Sequence, residues 1–283
     1  MTSTPVSRRS GRSWSHRPPA ERGHRVRISW ATEPGSPARP NEDFVAAAPG
    51  AVVVLDGCSL PLGTDLGCAH GTAWFSRSLG TRLLARLTDG HGPAARPPVG
   101  PPEGAHRPAS RPLVGRLAGA IADVAAAHRG DCDLNHPQTP AATVVALRVR
   151  GDALDYLVLG DSTLLLHTAG RLDAVTEPPG RITPYAAADP AVAERAITGT
   201  VPLREVRRAI LMTDGASRPA DRFHTLDWRE LLRLVETYGP MALIERTRET
   251  EYADPDGVRW PRGKRHDDAT VAYCDFSGAG SGT

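Results

Sequence analysis

Val52-Val53-Val54-Leu55-Asp56-Gly57 is the stretch from which the rest of the chain can be read. Three β-branched residues and a leucine in unbroken succession describe a strand buried on both faces. The apolar run stops at a carboxylate, and Gly57 leaves the backbone free to turn. A carboxylate at the end of a buried strand is held rigidly at the border of solvent. The same arrangement returns at Leu211-Met212-Thr213-Asp214-Gly215 and, in part, at Val158-Leu159-Gly160-Asp161-Ser162. Asp267-Asp268 stands immediately before another strand-like run, residues 269–273. These strand ends are expected to converge on one acidic centre that binds divalent metal.

Working outward from Asp56, residues 44–48 and Pro49-Gly50 supply the first arm and the turn of a hairpin. Residues 25–32 alternate, with Val26, Ile28 and Trp30 on one face, and predict a half-buried strand. Residues 65–87 and 113–128 carry apolar residues at helical spacing. His128, at the end of the second helix, reads as a surface residue whose position suits the helix dipole. Four short strands, 143–149, 153–159, 164–167 and 172–175, read as one antiparallel meander. Residues 177–205 read as a surface excursion with a short helix at 190–196. A strand at 208–213, helices at 227–238 and 241–252, and a strand at 269–276 complete the pattern. Asp227 and Glu230 have the spacing of a capping box. Helices come in pairs and do not alternate with strands, which predicts an α+β fold of layered antiparallel sheets.

Composition narrows the function. With 283 residues and 40% hydrophobic content, the chain can build one large core. Residues 1–27 carry seven arginines and one glutamate, +6 against +2 for the whole chain, so the remainder is net −4. A mildly acidic body argues against a nucleic-acid-binding core. No run approaches the ~20 apolar residues of a membrane span, and Arg8-Arg9 is not followed by an apolar segment. Cys58, Cys68, Cys132 and Cys274 form no CxxC and no zinc-finger spacing, and read as reduced thiols in a cytoplasmic protein. Cys58 and Cys68 read as small residues near a helix start. The expected organisation is a disordered Arg/Ser/Pro-rich tail over 1–24, a catalytic domain over 25–276 with a Pro/Gly-rich insertion at 89–112, and a flexible tail over 277–283.

Asn41-Glu42-Asp43, Asp56-Gly57, Gly160-Asp161-Ser162, Thr213-Asp214-Gly215 and Asp267-Asp268-Ala269-Thr270 occur in this order, each at a strand edge. The ordered series resembles the metal-dependent type 2C serine/threonine protein phosphatases, over roughly residues 25–276. The resemblance implies a four-layer α/β/β/α sandwich, two antiparallel sheets face to face with helix pairs outside. It implies a binuclear Mn²⁺ or Mg²⁺ centre that activates water against a phosphoserine or phosphothreonine monoester. Asp56 would bridge the metals and Gly57 would offer its carbonyl. Asp214 and Asp267 would hold one metal, and Glu42 and Asp43 would act mainly through metal-bound waters. Asp161 with Asp214 would match a weaker third site. Asp56, Asp214 and Asp267 are thus the candidate catalytic residues, acting through metal-bound water, and Arg39 is the candidate phosphate ligand. The implied partner is a phosphoprotein of a Ser/Thr kinase pathway, met by a monomer; a small phosphomonoester also fits.

The chain departs from the family pattern at defined points. Cys58-Ser59-Leu60 follows Asp56-Gly57, where relatives carry Met-Gly-Gly or a histidine. Ala38 occupies the usual arginine position, with Arg39 one residue later. Ala141-Ala142-Thr143 replaces Gly-Thr-Thr, and Thr163 follows Gly-Asp-Ser where an arginine is frequent. The metal ligands are better kept than the substrate-handling residues, so the alternative is a weakly active or inactive phosphatase-like module that binds a regulatory partner.

Overall fold

A computed structural model describes residues 26–89, 113–128, 130–178 and 183–277. The predicted N-terminal tail, the C-terminal tail beyond Ser277 and most of the predicted insertion lie outside the described residues. The strands are β1 (Arg27–Glu33), β2 (Phe44–Ala48), β3 (Ala51–Gly57), β4 (Ala142–Arg150), β5 (Ala153–Leu159), β6 (Thr163–Thr168), β7 (Arg171–Val175), β8 (Ile197–Pro202), β9 (Val206–Met212) and β10 (Ala269–Asp275). The helices are α1 (Thr72–Thr88), α2 (Leu113–His128), α3 (Asp214–Asp221), α4 (Trp228–Tyr238) and α5 (Pro240–Ala253). One sheet has the order β1-β10-β9-β6-β7 and the other β2-β3-β4-β5-β8, antiparallel throughout.

Side-chain alternation along the strands explains the layering. Val53 and Leu55 of β3 pack with Leu79, Leu83, Leu117 and Ile121 of α1 and α2. Val52 and Val54 point the other way, into a core shared with Leu164, Leu166, Leu211 and Ala272 of the opposite sheet. The second sheet turns Leu165, Ile210, Met212 and Val271 toward Leu231, Val235, Leu243 and Ile244 of α4 and α5. Three cores therefore separate four layers, α/β/β/α. Strands in the middle read as continuous apolar runs because helices cover one face and the other sheet covers the second. Each fully buried Val or Leu contributes roughly 1.5–3 kcal/mol, so these three cores dominate the stability.

Four features depart from the sequence reading. The predicted meander is two hairpins in different sheets: β4-β5 belongs to one and β6-β7 to the other, with the crossing at Gly160-Asp161-Ser162. Gly160 has φ +95°, and a Cβ there would sit 2.7 Å from the Thr143 side chain, so only glycine makes this crossing. The excursion over 177–205 contains an edge strand, β8, which pairs with β5. The first helix begins at Thr72, leaving 58–71 as a loop. Trp30 is 53% exposed, because β1 is an edge strand, and only Val26 and Ile28 of its predicted face pack on the inter-sheet core. The capping box is present, with Asp227 and Glu230 side chains each accepting from the other's backbone N–H. No helix among the described residues is long and apolar enough to cross a membrane.

Candidate functional site

Antiparallel pairing brings the acidic residues together. β2 starts where β3 ends, β4 starts opposite that end, and β5 returns to it. In the other sheet β6 and β10 start, and β1 and β9 finish, at a common end. Asp43 immediately precedes β2, Asp56 is the penultimate residue of β3, and Asp161 lies in the crossing from β5 to β6. Asp214 follows β9, and Asp267-Asp268 precede β10. Asp214 does not occupy a simple turn: it is the first residue of α3, where a carboxylate suits the positive end of the helix dipole.

The carboxylates influence one another. Burial raises the proton affinity of Asp43 well above the ordinary carboxylate range, helped by Asp268 and Asp214 and opposed by the nearby hydroxyls of Thr270 and Thr213. Asp56 is raised in the same way, by burial and then by Asp43, Asp214 and Asp267. Asp161 is raised by burial and by Asp214, and Asp221, near the end of α3, by burial and by Asp214. These are the shifts expected of carboxylates crowded into one partly desolvated volume. Asp43 Oδ2 accepts from Thr213 Oγ1 at 3.0 Å, whereas its buried Oδ1 has no partner. An orphaned buried carboxylate oxygen among other carboxylates is suited to a hard divalent cation, which takes oxygen ligands. The donor set therefore fits the metals implied by the motif series.

Other motif residues serve the scaffold. Asn41 Nδ2 donates to Thr32 Oγ1 (2.8 Å), and Asn41 Oδ1 accepts from the Asp43 N–H (3.0 Å), orienting the segment ahead of β2. Asp268 accepts from the N–H groups of Gly35 (2.7 Å) and Glu42 (2.6 Å), tying two loops to the start of β10. Gly57 allows the Glu42 backbone to approach: a Cβ at residue 57 would lie 2.6 Å from the Glu42 carbonyl oxygen. Glu42 itself accepts a short hydrogen bond from Ser59 Oγ.

Asp267 is the predicted ligand most engaged by protein. Arg218 Nη2 donates to its Oδ2 at 2.9 Å and Lys264 Nζ to its Oδ1 at 2.7 Å. Arg218 is buried. Burial opposes its charge, but Asp214, Asp267 and Glu251 more than restore it. Arg39 lines a cavity of about 170 Å³ together with Glu42, Ser59, Lys264, Asp267 and Asp268, and its Nη2 donates to the Leu60 carbonyl at 2.8 Å. Arg39 is thus beside the acidic centre despite its displaced position in the sequence.

Sequence reasoning missed Lys264, Arg218, Asp221 and Tyr185. Lys264 carried a signal, being the chain's only lysine and three residues before Asp267. Arg218 follows Asp214 by one helical turn, a relation visible only once α3 is recognised. Tyr185 has its pKa raised to about 12, by burial and then by Asp161, Cys58 and Asp56, which marks it as part of the rim. The Cys58 thiol is pushed up by burial and by Asp56, Asp161 and Asp214, which favours its protonated form.

Several solved structures resemble this fold. The chain covers 97% of the catalytic domain of serine/threonine protein phosphatase PstP in complex with two manganese ions, with 88% of its own length aligned, 21% identity and a TM-score of 0.54. The serine/threonine phosphatase PstP/Ppp of Mycobacterium tuberculosis aligns at 19% identity and a TM-score of 0.54, over 89% of this chain and 98% of that one. PppA, a regulatory component of the type VI secretion system in Pseudomonas aeruginosa, aligns at 20% identity and a TM-score of 0.54, over 88% and 97%. Comparison with curated protein sequences finds no match. At these identities the likeness concerns the fold. The family model described as protein phosphatase 2C matches residues 39–251, most of the chain, and the chain belongs to that family.

Proposed function

We propose that this protein is a metal-dependent phosphatase that hydrolyses phosphoserine and phosphothreonine monoesters of proteins. The observation that carries this reading is the crowding of Asp43, Asp56, Asp161 and Asp214 at one end of the two sheets, with Asp43 Oδ1 buried and unpartnered. A cluster of carboxylates that repels itself is best understood as a cation site. Asp43, Asp56, Asp214 and Asp267, with the Gly57 carbonyl and Glu42, would hold two Mn²⁺ or Mg²⁺ ions, and Asp161 with Asp214 and Asp221 a weaker third. Bound divalent cations supply an activated water at neutral pH and neutralise charge on phosphoryl oxygens. The chain's own groups do the rest. Arg39 and Lys264, on the wall of the adjoining cavity, present cationic donors to the phosphoryl oxygens. In this reading the protein opposes a Ser/Thr kinase in the cytoplasm.

A second reading has a specific observation behind it. Asp267 already has two cationic partners, and Arg39 is turned to a backbone carbonyl. A phosphatase-like module with weak or no turnover would retain such contacts. Hydrolysis of p-nitrophenyl phosphate and of a phosphothreonine peptide, measured with Mn²⁺ and with chelator, separates the two. Turnover that requires Mn²⁺ or Mg²⁺ supports the phosphatase; phosphopeptide binding without turnover at any metal concentration supports the module.

Arg39→Ala provides a finer check. Loss of one charge-assisted hydrogen bond, roughly 1.5–3 kcal/mol, should raise KM about tenfold or more with a smaller change in kcat. Unchanged KM would show that another group holds the phosphate.

A further inference from the structure

A second set of ligating side chains meets at the open end of the α1–α2 hairpin, outside the acidic centre. Cys68 and His70 stand in the loop before α1, His128 is the last residue of α2, and Cys132 follows four positions later. One ligand atom from each lies within 4.8 Å of all the others. Cys68 Sγ is 3.3 Å from His128 Nε2 and 3.8 Å from His70 Nδ1, and His70 Nδ1 is 3.3 Å from Cys132 Sγ. Tetrahedral zinc, with Zn–S about 2.3 Å and Zn–N about 2.0–2.1 Å, places its sulfur and nitrogen ligands about 3.6 Å apart. The separations found here bracket that value. We propose that Cys68, His70, His128 and Cys132 form a structural zinc site that clamps the loop following Asp56-Gly57 to the end of α2.

The surroundings match a metal site better than a set of hydrogen bonds. His128 was expected at the surface, but it is 2% exposed. Its Nδ1 lies 3.3 Å from the Val124 carbonyl oxygen, which can only accept, so Nδ1 carries the proton and Nε2 presents its lone pair to Cys68. Fixing the tautomer of a ligating histidine through its other nitrogen is the usual outer-shell arrangement. Trp74 packs against both rings, with centroids 4.4 Å from His70 and 4.6 Å from His128. Thiols are poor hydrogen-bond partners, so two of them facing two imidazoles gain little without a cation. Two sulfurs and two imidazole nitrogens favour zinc over Mg²⁺ or Mn²⁺, which prefer oxygen. The four closed positions leave no place for substrate, which marks the site as structural.

The clamp has a clear mechanical consequence. Cys68 and His128 are sixty positions apart, and the loop 58–71 has no regular secondary structure of its own. Besides the cluster, the Asp133 N–H donates to the Gly67 carbonyl at 2.8 Å. A zinc ion would hold Cys58, Ser59 and Leu60, which border the acidic centre, by fixing the far end of the loop that carries them.

The test uses the full chain purified under reducing conditions and passed over a chelating resin. Elemental analysis should find about one zinc per chain, as a closed structural site retains its ion. The same content should persist in Asp56→Asn and fall more than about tenfold in Cys68→Ser/Cys132→Ser. Because the double variant can fail to fold, the native chain loaded with Co²⁺ supplies an independent reading: thiolate-to-cobalt charge transfer and the intense visible bands of a tetrahedral centre. Absence of both zinc and those cobalt bands in the native chain would overturn the proposal. So would zinc that is lost in Asp56→Asn and kept in the cysteine variant, or a Cys68–Cys132 disulfide in place of the metal.

Discussion

Asp56→Asn is expected to reduce phosphatase turnover by about 10³-fold or more, an effect of roughly 4 kcal/mol on the barrier. Asp56 stands at the centre of the acidic cluster, with its proton affinity raised by burial and by Asp43, Asp214 and Asp267. Asparagine keeps the shape and removes one charge. In chelator the variant should be as stable as the parent or more stable, since repulsion among the carboxylates falls. In saturating Mn²⁺ it should melt below the parent, because the folded state loses part of its metal-linked stabilisation. Melting curves in the two conditions therefore move in opposite directions. An equal loss of stability in both would identify Asp56 as a structural residue and remove the cation site from the reading.

Glu251→Gln should produce the largest change in stability, about 3–5 kcal/mol, the cost of breaking a buried ion pair by removing one charge. Glu251 on α5 is fully buried. It accepts from Arg218 Nη1 at 2.6 Å and from Arg248 Nη1 at 2.9 Å, and His266 Nδ1 lies 2.6 Å from its Oε2. Glutamine would leave Arg218 with Asp267 and Arg248 with Glu33 as their remaining carboxylates, and its amide would point a donor at one of the two guanidinium groups. Arg248 also binds Glu33 of β1 and the Asp267 carbonyl, so the damage should spread to the start of β10. Urea unfolding of the metal-free protein measures the loss directly. A change below about 1 kcal/mol would place this network among salt bridges of little net value.

Much of the architecture is legible in the chain because strands and helices declare themselves by period. The run from Val52 to Leu55 had to be buried on both faces, and the helix pairs left only a layered sandwich to bury it. The meander misled because residues 142–175 satisfy the same local pattern whether four strands lie in one sheet or in two. The deciding element is the crossing at Gly160, a backbone conformation that alternation does not encode. β8 was hidden by a composition rich in Thr, Gly and Pro; its pairing with β5, not its own propensity, makes it a strand. Helix α3 was hidden by its shortness and by Pro219, so Asp214 read as the end of a strand and not as the start of a helix.

The acidic centre was readable because each of its carboxylates sits beside an apolar strand, and antiparallel pairing then forces those ends together. Asp56, Asp214, Asp161 and the Asn41-Glu42-Asp43 segment were determined by sequence in this sense. Their electrostatic neighbours were not. The placement of Arg218 and Lys264 on Asp267, of Arg39 on the cavity wall, and of Glu251 beneath them depends on helices and loops distant along the chain. The cluster of Cys68, His70, His128 and Cys132 depends most on tertiary structure. Its two halves, Cys68 with His70 and His128 with Cys132, flank a helical hairpin in sequence, and only the packing of α1 against α2 brings them to one end. Periodicity reports what a residue shares with its near neighbours in the chain, whereas a ligand shell is a relation between segments that only packing brings within bonding distance.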